Sequence, residues 1–178
     1  MKLKAQKIPK EFARTLPRGF RIVKKQGLDF LLVESLFCPN GHNLTVDSVR
    51  IHNEPSVKLK VIVNGQSGLI FVDAFWGSHA KLFSFIPQFP AWPTYVEAHC
   101  PYCDESLVEG QPCEQPGCGS DRSVTLRLPG GRNKIHVCAR LGCPGHVLDI
   151  TDMPHEVVES VNSINYFGAG PEGVFEDI

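Results

Sequence analysis

Between Val57 and Val63 the chain alternates. Val57, Leu59, Val61 and Val63 share one face, and Lys58 and Lys60 take the other. A period of two is the pattern of a half-buried β-strand. The NGQSG stretch then turns the chain, and LIFVDAF returns as its hairpin partner. An apolar run from Leu28 to Phe37, rich in Leu, Val and Phe, predicts another strand, and Lys81 to Ile86 a further one. SVTLRL and NKIHV flank LPGGR, whose Pro and Gly residues are hairpin-turn chemistry. Helical signals are confined to the two ends. One short helix is opened by Pro9 and closed before Pro17. The other is TDMPHEVVESVNSI, with Thr151 or Asp152 as its cap, Pro154 in its first turn and Glu156 at its positive end. The expected fold is mainly β, with short helices near the N- and C-termini.

Composition adds an organisation to this pattern. The chain has 178 residues, 42% of them apolar. That is enough to bury a core, so any bound metal would reinforce the fold rather than replace the core. Three regions are expected: a basic N-terminal arm at 1–27, a β domain at 28–150, and a C-terminal helix with a Gly-rich acidic tail at 151–178. The net charge of −1 hides an asymmetry. Nine of the eighteen Lys and Arg residues, and one acid, fall within residues 1–25; that segment carries +8 and the rest −9. A basic arm on an acidic body binds nucleic acid, meets an acidic face of a partner, or folds back on its own body. No apolar run approaches the roughly 20 residues of a membrane-spanning helix. The charged start is not followed by the apolar stretch of a secretory signal. The expectation is a cytoplasmic protein without a membrane segment.

Half of the sixteen aromatic residues lie between 71 and 95, where Pro87, Pro90 and Pro93 recur every third residue. That spacing favours an extended, polyproline-like path. Most of these rings are expected in the core. Phe89, Trp92 and Tyr95, carried on the stiff segment, are the candidates for an exposed docking patch.

The strongest chemical signal is in the seven cysteines, an odd number that suits reduced thiolates better than a disulfide framework. They fall into short motifs: Cys38-x3-His42, Cys100-x2-Cys103, Cys113-x4-Cys118 and Cys138-x4-Cys143. Two N/S ligands a few residues apart can grip one ion from a tight turn, and two such turns complete a tetrahedron. Pro39, Gly41, Pro101, Gly117, Gly142 and Pro144 supply the turns. Eight ligands make two sites, with no cysteine left over. His146 is a ninth candidate, as an alternative to Cys143 or as a neighbour of the site. Zinc, two ions per chain, fits better than iron, because one site is mixed Cys3His and two of the gaps hold four residues.

The stretch CPYCDESLVEGQPCEQPGCGS resembles a short zinc ribbon of the rubredoxin-like kind over about residues 98–120. It has a CPxC knuckle, about ten residues, then a second Cys pair followed by Gly. It departs from the commonest form in the four-residue gap between Cys113 and Cys118. The resemblance implies a metal-stapled β domain with zinc-ribbon knuckles and says little about function. Two pairings of the motifs are open. In the nested one, Cys100, Cys103, Cys113 and Cys118 share an ion, and Cys38 and His42 join Cys138 and Cys143. In the sequential one, the first and second motifs share one ion and the third and fourth the other. The shorter loop favours the nested pairing.

Closed four-ligand sites argue for structural rather than catalytic metal. No GxSxG, HExxH, P-loop or GxGxxG motif occurs. Asp73 and His79, flanking FWGS, are candidates to line a pocket. His99 and His136 adjoin knuckles and are candidates to hydrogen-bond their thiolates; His155 is the remaining polar candidate, and for each lone His a satisfied or exposed side chain outweighs a catalytic one. Three function classes follow, in descending order: a non-catalytic protein-interaction module or accessory subunit, a nucleic-acid-binding protein using the basic arm, and an enzyme or rubredoxin-like electron carrier.

Overall fold

The computed structural model describes residues 6–88 and 93–164. Among them are eleven strands and two helices, and the strands form three antiparallel sheets. Helix α1 (Lys10–Arg14) follows Pro9 and drives Phe12 into the core, fully buried. Strands β1 (Phe20–Lys25) and β2 (Leu28–Val33) pair as a hairpin in register Phe20–Val33 to Lys25–Leu28. Its two-residue loop is Gln26–Gly27, both at positive φ (51° and 78°). Such mirror-image turns match the right-handed twist of the strands they join. The second half of the basic segment is therefore a strand, and its charges meet the body's own acids. Arg21 reaches Glu54 at 2.6 Å, and Lys24 faces Asp29 at 3.8 Å. Four successive residues of β2, Phe30 to Val33, are buried, because this strand is covered on both faces.

The second sheet is β3 (Thr45–Ile51), β4 (Glu54–Val63), β5 (Gln66–Val72) and β6 (Lys81–Phe83) in that order. Strand β4 alternates as its sequence predicts, with Val57, Leu59, Val61 and Val63 buried. Asn64–Gly65 forms the tight turn into β5. The short β7 (Glu97–His99) also pairs with β4, at Lys60–Ile62. Since β5 occupies one edge of β4, β3 and β7 share the other. The third sheet is β11 (His146–Asp149), β10 (Lys134–Cys138), β9 (Ser123–Arg127) and β8 (Val108–Glu109). The LPGGR hairpin joins β9 to β10 in register Leu126–Ile135 and Val124–Val137.

Backbone bonds stitch the sheets together: Phe37 and Arg127 exchange N–H···O bonds of 2.8 and 2.9 Å, and Leu107 joins Ala98 to Thr125. Side chains of the second and third sheets face each other across the core, with Val61 and Ile70 on one side and Leu126 and Ile135 on the other. Edge-on aromatic contacts run from Phe12 to Phe20 (5.7 Å) and on to Trp76 (5.8 Å). The indole N–H of Trp76 donates to the Val161 carbonyl at 2.8 Å. That bond fixes helix α2 (His155–Asn162), whose Val161 is fully buried. The α2 cap departs from expectation. Pro154 is the N-cap residue and no side chain caps the helix, so neither Thr151 nor Asp152 does. The ring's fixed φ starts the helix two or three residues later than a polar cap at Asp152 or Thr151 would.

Candidate metal centres

Cys38, His42, Cys100 and Cys103 converge on one point, and Cys113, Cys118, Cys138 and Cys143 on another. Within each quartet all four ligand atoms lie within 4.8 Å of one another. Sulfur separations are 3.9 Å for Cys38–Cys103, 3.7 Å for Cys113–Cys143 and 3.6 Å for Cys118–Cys138. Cys38 Sγ lies 3.4 Å from His42 Nδ1. A disulfide would need about 2.05 Å. A tetrahedron with metal–sulfur bonds of about 2.3 Å has edges near 3.8 Å. The quartets therefore have the spacing of ligands around a common ion, and each can hold one.

The pairing is the sequential one, so the nested expectation is corrected. Strand pairing overrides loop closure here. The first knuckle leads into β3 and the second leaves β7, and both strands sit on the same edge of β4. The third knuckle lies between β8 and β9, the fourth between β10 and β11, all in one sheet. Loop-closure entropy grows only with the logarithm of loop length, so the longer first loop adds little. Cys100 and Cys103 accordingly do not share a site with Cys113 and Cys118, although CPYCDESLVEGQPCEQPGCGS holds all four.

Each knuckle aims backbone N–H groups at its sulfurs. Tyr102, Gln115, Arg140 and Gly145 donate at 3.4 Å to the cysteine two residues before them. His42 N–H does the same for Cys38. Such donors favour thiolates over thiols. At Cys103 the Asn40 side chain and the Glu105 N–H hold the pKa down at about 6. At Cys118 burial pushes upward, but the Ser120 N–H and the neighbouring sulfurs prevail, giving about 7. Burial pushes Cys113 up to about 11 and raises Cys100 and Cys143 as well. A set of close thiols with split affinities for protons is what a metal would make uniform, by displacing the protons from all of them. Gly145 is a further sign of tight construction. A Cβ there would sit 2.5 Å from Cys113 Sγ and 3.4 Å from Cys143 Sγ.

The remaining candidates fall elsewhere. His146 is not in either quartet. Its Nδ1 faces the Pro144 carbonyl at 3.0 Å, and its ring stands edge-on to Trp76 at 4.8 Å. His99 Nδ1 lies 3.0 Å from the Asp104 carbonyl and His136 Nδ1 2.9 Å from Thr125 Oγ1, so their described hydrogen bonds go to oxygen rather than to thiolate. His155 is exposed. Phe89 and Trp92 lie outside the described residues. Tyr95 is half-buried beneath the Arg122 guanidinium at 4.8 Å.

Asp73 and His79 do line a common cavity. Asp73 Oδ2 accepts from Ser78 Oγ at 2.5 Å and lies 2.6 Å from His52 Nδ1, while Oδ1 accepts from the Phe75 N–H at 3.1 Å. His52, in the two-residue turn between β3 and β4 at φ 52°, carries no sequence signal for this role. Burial, with help from His146 and Lys81, pushes the His79 pKa down to about 3. Lys81 is also pulled down by burial, with Cys143 pushing back. Sequence reading missed Lys81, because it looks like the polar residue of an ordinary edge strand.

Comparison of the chain with family models, with curated proteins and with solved structures finds no match.

Proposed function

We propose that the chain is a zinc-binding, non-catalytic interaction module, an accessory subunit that docks on a protein partner. The observation that carries this reading is the closure of both quartets. Each supplies four N/S donors at tetrahedral spacing, which leaves no protein-free position for substrate or activated water. Zinc is favoured over iron by the imidazole of His42 among three thiolates in the first centre. A docking role is supported by apolar side chains displayed beside the edge strand β6. Ile86 is 87% exposed and Leu82 49%, and the aromatic Pro-rich segment follows them directly in sequence. The nucleic-acid reading is weakened by Arg21, Lys24 and Lys25, whose charges face Glu54, Glu34 and Asp29 of the same chain. Among the described residues no helix is long and apolar enough to cross a membrane.

The test is elemental analysis of protein purified without added metal. Two zinc atoms per chain are expected. Iron would replace this reading with redox chemistry, and a single zinc would reopen one centre as a candidate catalytic site.

A further inference from the structure

Between the second and third sheets lies a cavity of about 110 Å³. Its walls are hydrocarbon from both sheets, including Leu59, Val61 and Ile70 on one side and Leu126 and Ile135 on the other. One end is different. There His79, Lys81 and His146 come together, the two imidazole rings 5.3 Å apart and Lys81 Nζ 3.2 Å from the His79 carbonyl, with Ser78 and Arg140 also among the lining residues. Protein sites for small molecules have this composition: an apolar body with a few polar groups gathered at one place.

Lys81 is the group at that end whose described contacts fall furthest short of what it needs. An ammonium offers three donors, and its described hydrogen bond is one long contact of 3.2 Å to the His79 carbonyl. It belongs to none of the described ion pairs. The nearby acid is engaged elsewhere, since both oxygens of Asp73 serve His52, Ser78 and the Phe75 N–H. Arg140 turns its guanidinium to the Cys118 carbonyl at 2.8 Å, against the knuckle. Lys81 is half-buried, and the Cys143 sulfur nearby favours its charged form without appearing among its described hydrogen bonds, so a hydrogen-bonding counter-charge that reached the ammonium would stabilise it further.

We propose that this cavity binds a small monocarboxylate with a compact hydrocarbon body, its carboxylate on Lys81 and its chain between the two sheets. The size sets the class. An apolar cavity of about 150 Å³ takes benzene, so this smaller one admits an acid no bulkier than benzene, of about three or four carbons. A ligand there touches both sheets at once and lies beside Cys138 and Cys143, so its binding reports on the second metal centre. The cavity and Lys81 carry this inference independently of the proposed docking role.

The experiment uses the full metal-loaded chain with ¹³C-labelled methyl groups, titrated with 2-methylpropanoate and, separately, with the neutral 2-methylpropanamide. Metal content is measured on the same sample, so a protein lacking its metals is recognised as a failure of the zinc reading instead. Saturable shifts are expected at the Val61, Ile70, Leu126 and Ile135 methyls. The carboxylate should bind at least about tenfold more tightly than the amide, and Lys81→Met should abolish that preference. Ala98→Leu, which fills the cavity, should abolish binding of both. Absence of saturable shifts, or equal affinity for acid and amide on the unmodified protein, overturns the proposal without reliance on any variant.

Discussion

The two candidate centres are assembled from similar knuckles but sit differently in the molecule. In the first, Cys38 and Cys100 are fully buried, whereas Cys103 is half-buried and His42 exposed, so one side of the quartet faces water. Its surroundings are solvated charges such as the Lys60–Asp104 pair at 2.6 Å. In the second, all four sulfurs are half-buried. Gly145 is pressed against them, and His146, Trp76 and Lys81 back the site from inside. Through Trp76 and the Leu148 N–H bond to Asn162, this centre is also tied to helix α2. The lesson is that equal ligand numbers do not mean equal structural roles. The first centre pins a knuckle pair to one sheet edge, and the second lies where a sheet, a helix and a cavity meet.

The largest expected effect follows from that difference. Cys138→Ser and Cys103→Ser should each leave one zinc per chain. Cys138 ends strand β10 in the third sheet, so its loss should lower stability by about 4–5 kcal/mol, roughly 10–20 °C in Tm for a chain of this size. Cys103 lies in a half-exposed turn, and its loss should lower stability by about half as much. Calorimetric melting of both variants, with zinc analysis, checks this; equal losses would erase the distinction. A sharper probe is Gly145→Ala, whose Cβ would collide with Cys113 Sγ. Zinc affinity should fall about 10–100-fold at the second centre and stay unchanged at the first, as read by competition with a chromogenic chelator. An unaltered second centre would mean the knuckle yields more easily than its packing implies.

The smallest effect is in the pH dependence. His79 is held neutral, with a folded-state pKa near 3 against 6.5 for the free side chain. As pH falls below about 6.5 the unfolded chain takes up a proton that the folded chain refuses, so stability drops between pH 6.5 and 3. The contribution is on the order of 1–2 kcal/mol at pH 5. His79→Gln should flatten that part of the profile in urea unfolding of the zinc-loaded protein at pH 7 and pH 5. An unchanged slope would show that His79 charges freely in the fold.

Much of this architecture was legible before any coordinates. The alternation of Val57 to Val63 specified which face of β4 is buried, and Asn64–Gly65 and LPGGR specified two hairpins. The short motifs around seven cysteines and His42 picked out the residues that cluster. Other features left weaker traces. Strand β1 is masked by its basic residues, which read as an arm until their acidic partners across the fold are known. Strand β7 has three residues, too few for any period to register, yet its docking on β4 decides which knuckle meets which. The cap of α2 was misassigned because Thr151 and Asp152, polar residues three or four positions before the helix, looked adequate, and Pro154 took the position.

The sequence by itself determined the local chemistry: which residues turn, which alternate, and which side chains can hold a metal. Those properties depend on a few neighbouring residues, so they are written in short stretches of chain. The tertiary structure alone decided the pairing of the knuckles, the His52–Asp73 contact and the convergence of Lys81, His79 and His146 on one cavity. Each of these joins residues far apart in the chain. Their meeting is set by which strands share an edge and which faces pack together, and hydrophobic burial over the whole core, rather than any local motif, selects that arrangement.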